Sequence, residues 1–182
     1  MLLITVIATA VGALYARTWY ADPAPGSTPD AVIPSQTSIA PSEQPGPKEV
    51  RGTPDATLHP LYGTVRELLQ RNFDAINNRD YAAWQRIVTP ERMERQPEER
   101  WRADYRSTQD GSVVIYRIEV AEDDTALVLL TFVSVQDPSD APKELPVDCI
   151  RWSVVFPLSL QGDGWKLDSS PASASPQHER CT

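Results

Sequence analysis

The chain has 182 residues, of which 41% are hydrophobic, and it carries a net charge of −8. This length accommodates one folded domain with appended segments. The acidic balance argues against a nucleic-acid-binding protein, because neutralising phosphates requires a dense Lys/Arg surface and no such surface is evident.

The first 16 residues are uncharged and largely apolar, and Trp19 and Tyr20 follow them as side chains that suit a membrane interface. We therefore expect a membrane segment over residues 1–21. A cleavable signal needs small residues at −3 and −1, but a cut after Ala16 leaves Leu14 at −3, and a cut after Ala21 leaves Trp19 there. An uncleaved single-pass anchor is the preferred interpretation, and a secreted, cleaved form is the alternative.

The orientation of this anchor is ambiguous. Arg17 lies on its downstream side and no basic residue precedes it, which conflicts with the positive-inside rule. Two cysteines in a chain with a targeting segment nevertheless favour an oxidising compartment. We expect the remainder of the chain to be extracytoplasmic, next to the cell membrane.

Residues 22–57 contain eight of the 17 prolines and few large apolar residues. Such a composition cannot bury enough surface to offset chain entropy, so a disordered, extended linker is predicted.

Three helices are predicted after residue 58. The first opens at Pro60, ends at residues 77–78 and has an apolar stripe at steps of three and four: Leu61, Val65, Leu68, Leu69, Asn72 and Ile76. The second spans 80–88, with Asp80 as its N-cap. The third starts at Pro90 after Thr89 and is interrupted at Pro97.

The hydrophobic pattern changes from a period of 3.6 to alternation after Asp110-Gly111. Strands are predicted over 112–121 and 125–136, the second apolar on both faces and therefore central in a sheet. A long strand over 149–160 directs its even-numbered residues to the core and Cys149 to the other face. A Gly-Asp-Gly turn leads to a last strand, and residues 172–182 form a tail with no core of its own.

Cys149 and Cys181 are predicted to form a disulfide that holds this tail over the outer side of the sheet. Free or intermolecular thiols are the first alternative. A redox-active pair is the second, but it usually has closer spacing, such as C-x-x-C, or an activating neighbour.

The segments "LLQRNFDAINNRDYAAWQRIVTPE" and "GDGWKLDSS" resemble the helix–turn–helix pattern and the exit strand of the nuclear transport factor 2-like superfamily, which includes ketosteroid isomerases and scytalone dehydratase. Over residues 58–171 the resemblance implies an α+β fold, with three helices packed on a curved antiparallel sheet in the shape of a cone. With a membrane segment and a linker, the chain also resembles actinobacterial envelope proteins associated with lipid uptake, and assembly components of type IV secretion systems.

In the enzymes of this superfamily the cone encloses a catalytic cavity. Six residues are candidates to line it here: Tyr81, Trp84, Asp104, Tyr105, Tyr116 and Trp152. An Asp beside a Tyr suits base and oxyanion chemistry, but such aromatic residues usually form core, and Asp104 can pair with Arg100 or Arg102. His59 and His178 form no His–Asp arrangement. No catalytic residue, metal ligand or cofactor is therefore assigned.

The function expected from sequence is a membrane-tethered, extracytoplasmic binding or assembly module of an envelope complex, without catalysis. The alternative is a small exported enzyme of the isomerase or dehydratase type, or a carrier of an apolar ligand. A homodimer is also left open. A filled cone without a buried carboxylate would favour the module, whereas an open cavity with an Asp and a Tyr would favour the alternative.

Overall fold

The computed structural model describes residues 40, 43–121, 123–162, 164–170 and 176–181. Over these residues the fold is α+β, with five helices and a mixed sheet of six strands. In chain order the elements are β1 (Arg51–Gly52), α1 (Pro54–Thr57), α2 (Tyr62–Asn78), α3 (Tyr81–Gln85), α4 (Pro90–Arg95), α5 (Glu98–Asp104), β2 (Gln109–Val120), β3 (Thr125–Val135), β4 (Cys149–Gln161), β5 (Gly164–Leu167) and β6 (Gln177–Arg180).

The helices follow the local signals in the sequence. The predicted stripe of α2 is buried from Val65 to Ile76, and the helix ends at Asn78, after which Arg79 adopts a left-handed conformation. Asp80 caps α3 by accepting a hydrogen bond from the Ala83 amide at 2.8 Å. The predicted third helix is two helices, α4 and α5, because Pro97 separates them as expected.

The sheet has the order β1-β2-β3-β4-β5, and β6 pairs with β4. Strands β2 to β5 form the predicted antiparallel meander, but β1 runs parallel to β2, so the expectation of a wholly antiparallel sheet is corrected to a mixed one. Two register shifts interrupt the β2–β3 ladder, and such bulges bend a sheet. This bend allows α2 to pack across the inner face.

Residues 43–57 differ from the prediction of a disordered linker over 22–57. The Val50 side chain is buried and its amide donates to Gln70 Oε1 at 2.8 Å. Gly111 lies so close to this segment that a Cβ atom there would be 2.8 Å from the Gly46 carbonyl oxygen. The packed region therefore begins before residue 58, because this segment makes long-range contacts that its composition does not reveal.

The predicted membrane segment, residues 1–21, lies outside the described residues, as does the linker up to residue 39. Among the helices that the structure does describe, none is both long enough and apolar enough to cross a bilayer.

The predicted disulfide between Cys149 and Cys181 is present, with 5.5 Å between the two Cα atoms. The described part of the tail, residues 176–181, does not lie over the outer side of the sheet as expected. It forms β6 along the edge of β4, pairing from Ile150 to Ser153, and the Cys181 amide donates to the Cys149 carbonyl at 3.2 Å. Since β5 pairs with β4 further along the same edge, from Leu158 to Gln161, two short strands share one side of β4.

Candidate functional site

A cavity of about 520 Å³ lies between helices α2, α4 and α5 and the inner face of the sheet. This volume is within the range of pockets that bind small molecules. Its wall is mostly apolar and consists of Phe73, Ile76, Phe132, Trp152, Val154 and Phe156. Polar side chains from the helices, the strands and the loop after β3 interrupt this apolar wall.

The aromatic wall is formed by side chains from α2, β3 and β4. The Phe73 and Phe132 ring centroids are 5.1 Å apart, and the Phe132 ring stacks with Trp152 at 6.3 Å. Trp152 and Phe156 are only half-buried, because their rings face the cavity. The His178 ring on β6 lies 5.0 Å from the Trp152 ring, and Pro176, just before β6, is part of the lining.

Asp110 places a buried carboxyl group in the cavity wall, with 3% of its surface exposed. Its Oδ1 accepts a hydrogen bond from Ser134 Oγ on the neighbouring strand. Its backbone is held at both polar atoms by the Asn77 side chain, at 2.7 and 3.0 Å. Burial raises the pKa of Asp110 to about 6, and the Ser134 hydrogen bond and the Arg79 charge oppose the rise.

Arg92 brings a guanidinium to the opposite part of the wall. Helix α4 is fixed there because Thr89, its N-cap, donates from its hydroxyl to Asp168 Oδ1 at 2.8 Å and from its amide to the Leu167 carbonyl at 2.9 Å. Arg92 Nη1 donates to the Asp168 carbonyl at 3.1 Å, and the guanidinium lies 5.7 Å from the Phe156 ring centroid. Burial of its charge lowers the pKa of Arg92, against the effects of Tyr105 and Asp168.

Tyr105 follows α5 and is positioned by an aromatic cluster. Its ring packs against Trp101 at 5.3 Å, and Trp101 packs against Trp84 at 5.8 Å and Tyr81 at 5.5 Å. Burial raises the pKa of Tyr105, so its hydroxyl is protonated at neutral pH and can donate a hydrogen bond into the cavity.

Asn72 on α2 contributes a further polar group to the lining. Only 1% of its surface is exposed, and its Oδ1 has no hydrogen-bond partner among the described residues. A buried acceptor without a donor costs about 1 to 3 kcal/mol.

The loop after β3 forms one side of the mouth. Asp140 accepts hydrogen bonds from the guanidinium of Arg106 and from Ser107 Oγ, the latter at 2.6 Å. These bonds to Arg106 and Ser107 lower the pKa of Asp140, which keeps the carboxylate charged and the loop attached.

Of the six residues predicted to line a cavity, Asp104, Tyr105 and Trp152 are part of this lining. Tyr81 and Trp84 lie in the core under α5, with ring centroids 5.4 Å apart, and are not among the lining residues. Tyr116 is half-buried on β2, also away from this lining.

Eight polar residues of the lining are absent from the six predicted site residues: Asn72, Arg92, Thr108, Asp110, Ser134, Gln136, Asp140 and Lys143. Ser134 could have been found, because it continues the inward alternation of Val128, Leu130 and Phe132 on β3. The predicted strand begins only at residue 112, so Asp110 lies outside it, and no local signal assigns Asp110 to the strand that the structure begins at Gln109.

Within the residues that the structure describes, no group of three or more His, Cys, Asp and Glu side chains could hold a metal ion. No protein-family model matches the chain, and no curated protein matches it significantly, so the site is interpreted from its geometry alone.

Proposed function

We propose that this protein is a membrane-tethered, extracytoplasmic binding module whose domain takes up a small, largely apolar molecule. The observation that carries the proposal is the cavity of about 520 Å³, with an aromatic wall and a few convergent polar groups. A domain without a ligand gains stability by filling such a space with side chains, so an open cavity of this size is typical of a binding site.

The proposal includes a cone-shaped domain of the nuclear transport factor 2-like type. The helices that cover one face of an antiparallel meander support this assignment. The disulfide supports an oxidising, extracytoplasmic location, because such bonds are rare in the cytosol. The apolar residues 1–16 support the tether.

An envelope protein or a second copy of the chain remains part of the proposal as a partner. Leu127, Leu129 and Val155 are between 40% and 46% exposed on the outer face of the sheet, which leaves an apolar surface for a partner. The cavity is nevertheless the more specific feature, so we assign ligand binding to the domain in preference to assembly through this surface.

A second candidate is a small enzyme of the isomerase or dehydratase type. It is favoured by Asp110, since a carboxyl with a pKa of about 6 is suited to exchange protons near neutral pH. Tyr105, whose hydroxyl stays protonated, would then stabilise a developing oxyanion.

Binding is tested by titrating the full-length protein, in lipid nanodiscs, with 2-naphthamide, a neutral aromatic compound that fits the cavity. Calorimetry should show saturable binding that Ala141→Phe, a change in the cavity lining, abolishes. Ala103→Phe, on the exposed side of α5, is the control and should bind as the parent does. Binding that survives Ala141→Phe unchanged would contradict the proposal.

A further inference from the structure

We propose that the ligand of this cavity is an organic anion, with an apolar body against the aromatic wall and a carboxylate-type group on the guanidinium of Arg92. The inference rests on the proposed function, because it names the chemical class of ligand for the same cavity. It follows from which charged groups of the lining already have partners and which do not.

The Arg92 guanidinium is incompletely satisfied. Its one hydrogen bond found in the described structure is the 3.1 Å bond from Nη1 to the Asp168 carbonyl, although a guanidinium has five N–H donors. It forms no direct ion pair with a described residue, since Asp168 Oδ1 instead accepts from Thr89 Oγ1 and from the Ser169 amide. The remaining donors are suited to a planar, two-oxygen acceptor.

The other carboxylates near the cavity are engaged elsewhere. Asp104 accepts from Gln96 at 2.9 Å and pairs with Arg100 at 3.7 Å, and Asp140 pairs with Arg106. Lys143 adds an exposed cation at the mouth and has no ion-pair partner among the described residues. Asp168 offsets part of the Arg92 charge without a direct ion pair, so the open donors of Arg92 and the Lys143 ammonium are the groups on this side of the cavity that favour an anion.

Asp110 does not cancel this charge, because it lies at the other end of the wall. Its partner Ser134 is opposite Ile150 on β4, whereas Arg92 lies over Phe156, six residues further along the same strand. Six strand residues span roughly 20 Å. The aromatic wall between the two ends, including Trp152, is the surface against which an apolar body would pack.

Asn72 does not by itself define that body. Asn72 is part of the lining, and its Oδ1 is buried without a donor in the described structure, so a ligand hydroxyl or N–H group would satisfy this oxygen only if the side chain turned toward the cavity. The class of ligand that fits the aromatic wall and the Arg92 guanidinium is a compact apolar acid.

The test compares 2-naphthoate with 2-naphthamide, which have the same ring and differ by the charge. Both are titrated by calorimetry into the full-length protein in nanodiscs, with empty nanodiscs subtracted. The parent protein should bind naphthoate at least about tenfold more tightly than naphthamide, which corresponds to about 1.4 kcal/mol. Arg92→Gln should remove this preference while naphthamide still binds, and Arg92→Lys should keep part of it.

Arg95→Gln is the matched control, since Arg95 is exposed on the same helix and pairs with Glu91 outside the cavity. It should leave both affinities unchanged. Equal affinities for the two compounds, or a naphthoate preference that persists in Arg92→Gln, would overturn the inference while ligand binding stands. Absence of binding by either compound up to its solubility limit would overturn the proposed function, and the inference with it.

Discussion

Substituting Asp110 by Asn should stabilise the protein at neutral and alkaline pH, although the residue is buried and hydrogen-bonded. The folded-state pKa of Asp110 is raised from 3.8 to about 6, so the folded protein holds this proton more tightly than the unfolded chain does. The stability that protonation contributes is fully present below about pH 4 and is lost as the pH rises through about 6. Above that range, the folded state contains an ionised, desolvated carboxylate.

The magnitude follows from the shift. A rise of roughly two pKa units corresponds to about 3 kcal/mol of free energy of unfolding. Asp110→Asn removes the charge at every pH, and its amide oxygen can still accept the Ser134 hydrogen bond. We compare the free energy of unfolding of the variant with that of the parent. This difference should favour the variant by about 2 to 3 kcal/mol more at about pH 8 than it does at about pH 4.

Urea unfolding of the full-length protein, followed by tryptophan fluorescence across this pH range, measures the difference. Asp148→Asn is the control, because Asp148 is exposed and its replacement should alter stability by no more than about 0.5 kcal/mol. A stability difference between Asp110→Asn and the parent that is the same at both ends of the pH range would refute the reasoning.

Three further changes test the packing around the site. Cys181→Ser should lower the free energy of unfolding by about 3 to 4 kcal/mol, since the disulfide closes a loop with a sequence separation of 32. Denaturant titration measures this loss, and an unchanged midpoint would contradict the prediction. Asn77→Ala should cost about 1 to 3 kcal/mol because it leaves the backbone of Asp110 without both partners, and amide exchange at Asp110 should accelerate. Leu130→Ala, at a fully buried position, should lower the free energy of unfolding by about 2 to 5 kcal/mol. Leu58→Ala, at a position that is 80% exposed, should lower it by less than about 0.5 kcal/mol. Similar shifts of the melting temperature in the two variants would argue against the described core.

The sequence predicted those parts of the fold that depend on local periodicity. The apolar stripe of α2 and the alternation of β4 each follow from the burial of one face of the element. Both patterns are visible in residues that are close together in the sequence. The break at Pro97 is equally local, because proline lacks the amide that a continuous helix needs.

The remaining features depend on contacts between distant residues. Asp110-Gly111 has the composition of a turn, but Asn77 holds the Asp110 backbone and the segment around Gly46 packs on Gly111, so the pair belongs to a strand. Strand β6 has no apolar alternation, and its position follows from the disulfide and from pairing with β4. The charged and polar ends of the cavity arise in the same way, since α2, α4 and the sheet meet only after folding.

The disulfide also determines how the domain responds to a protease. Cys149 and Cys181 enclose β4, β5 and β6 in one covalent ring. A single cut at any peptide bond between the two cysteines opens this ring but releases no fragment, because each half retains one end of the bond. Nicked molecules would migrate as one species until a reductant is added, and their strands would stay close enough to pair again.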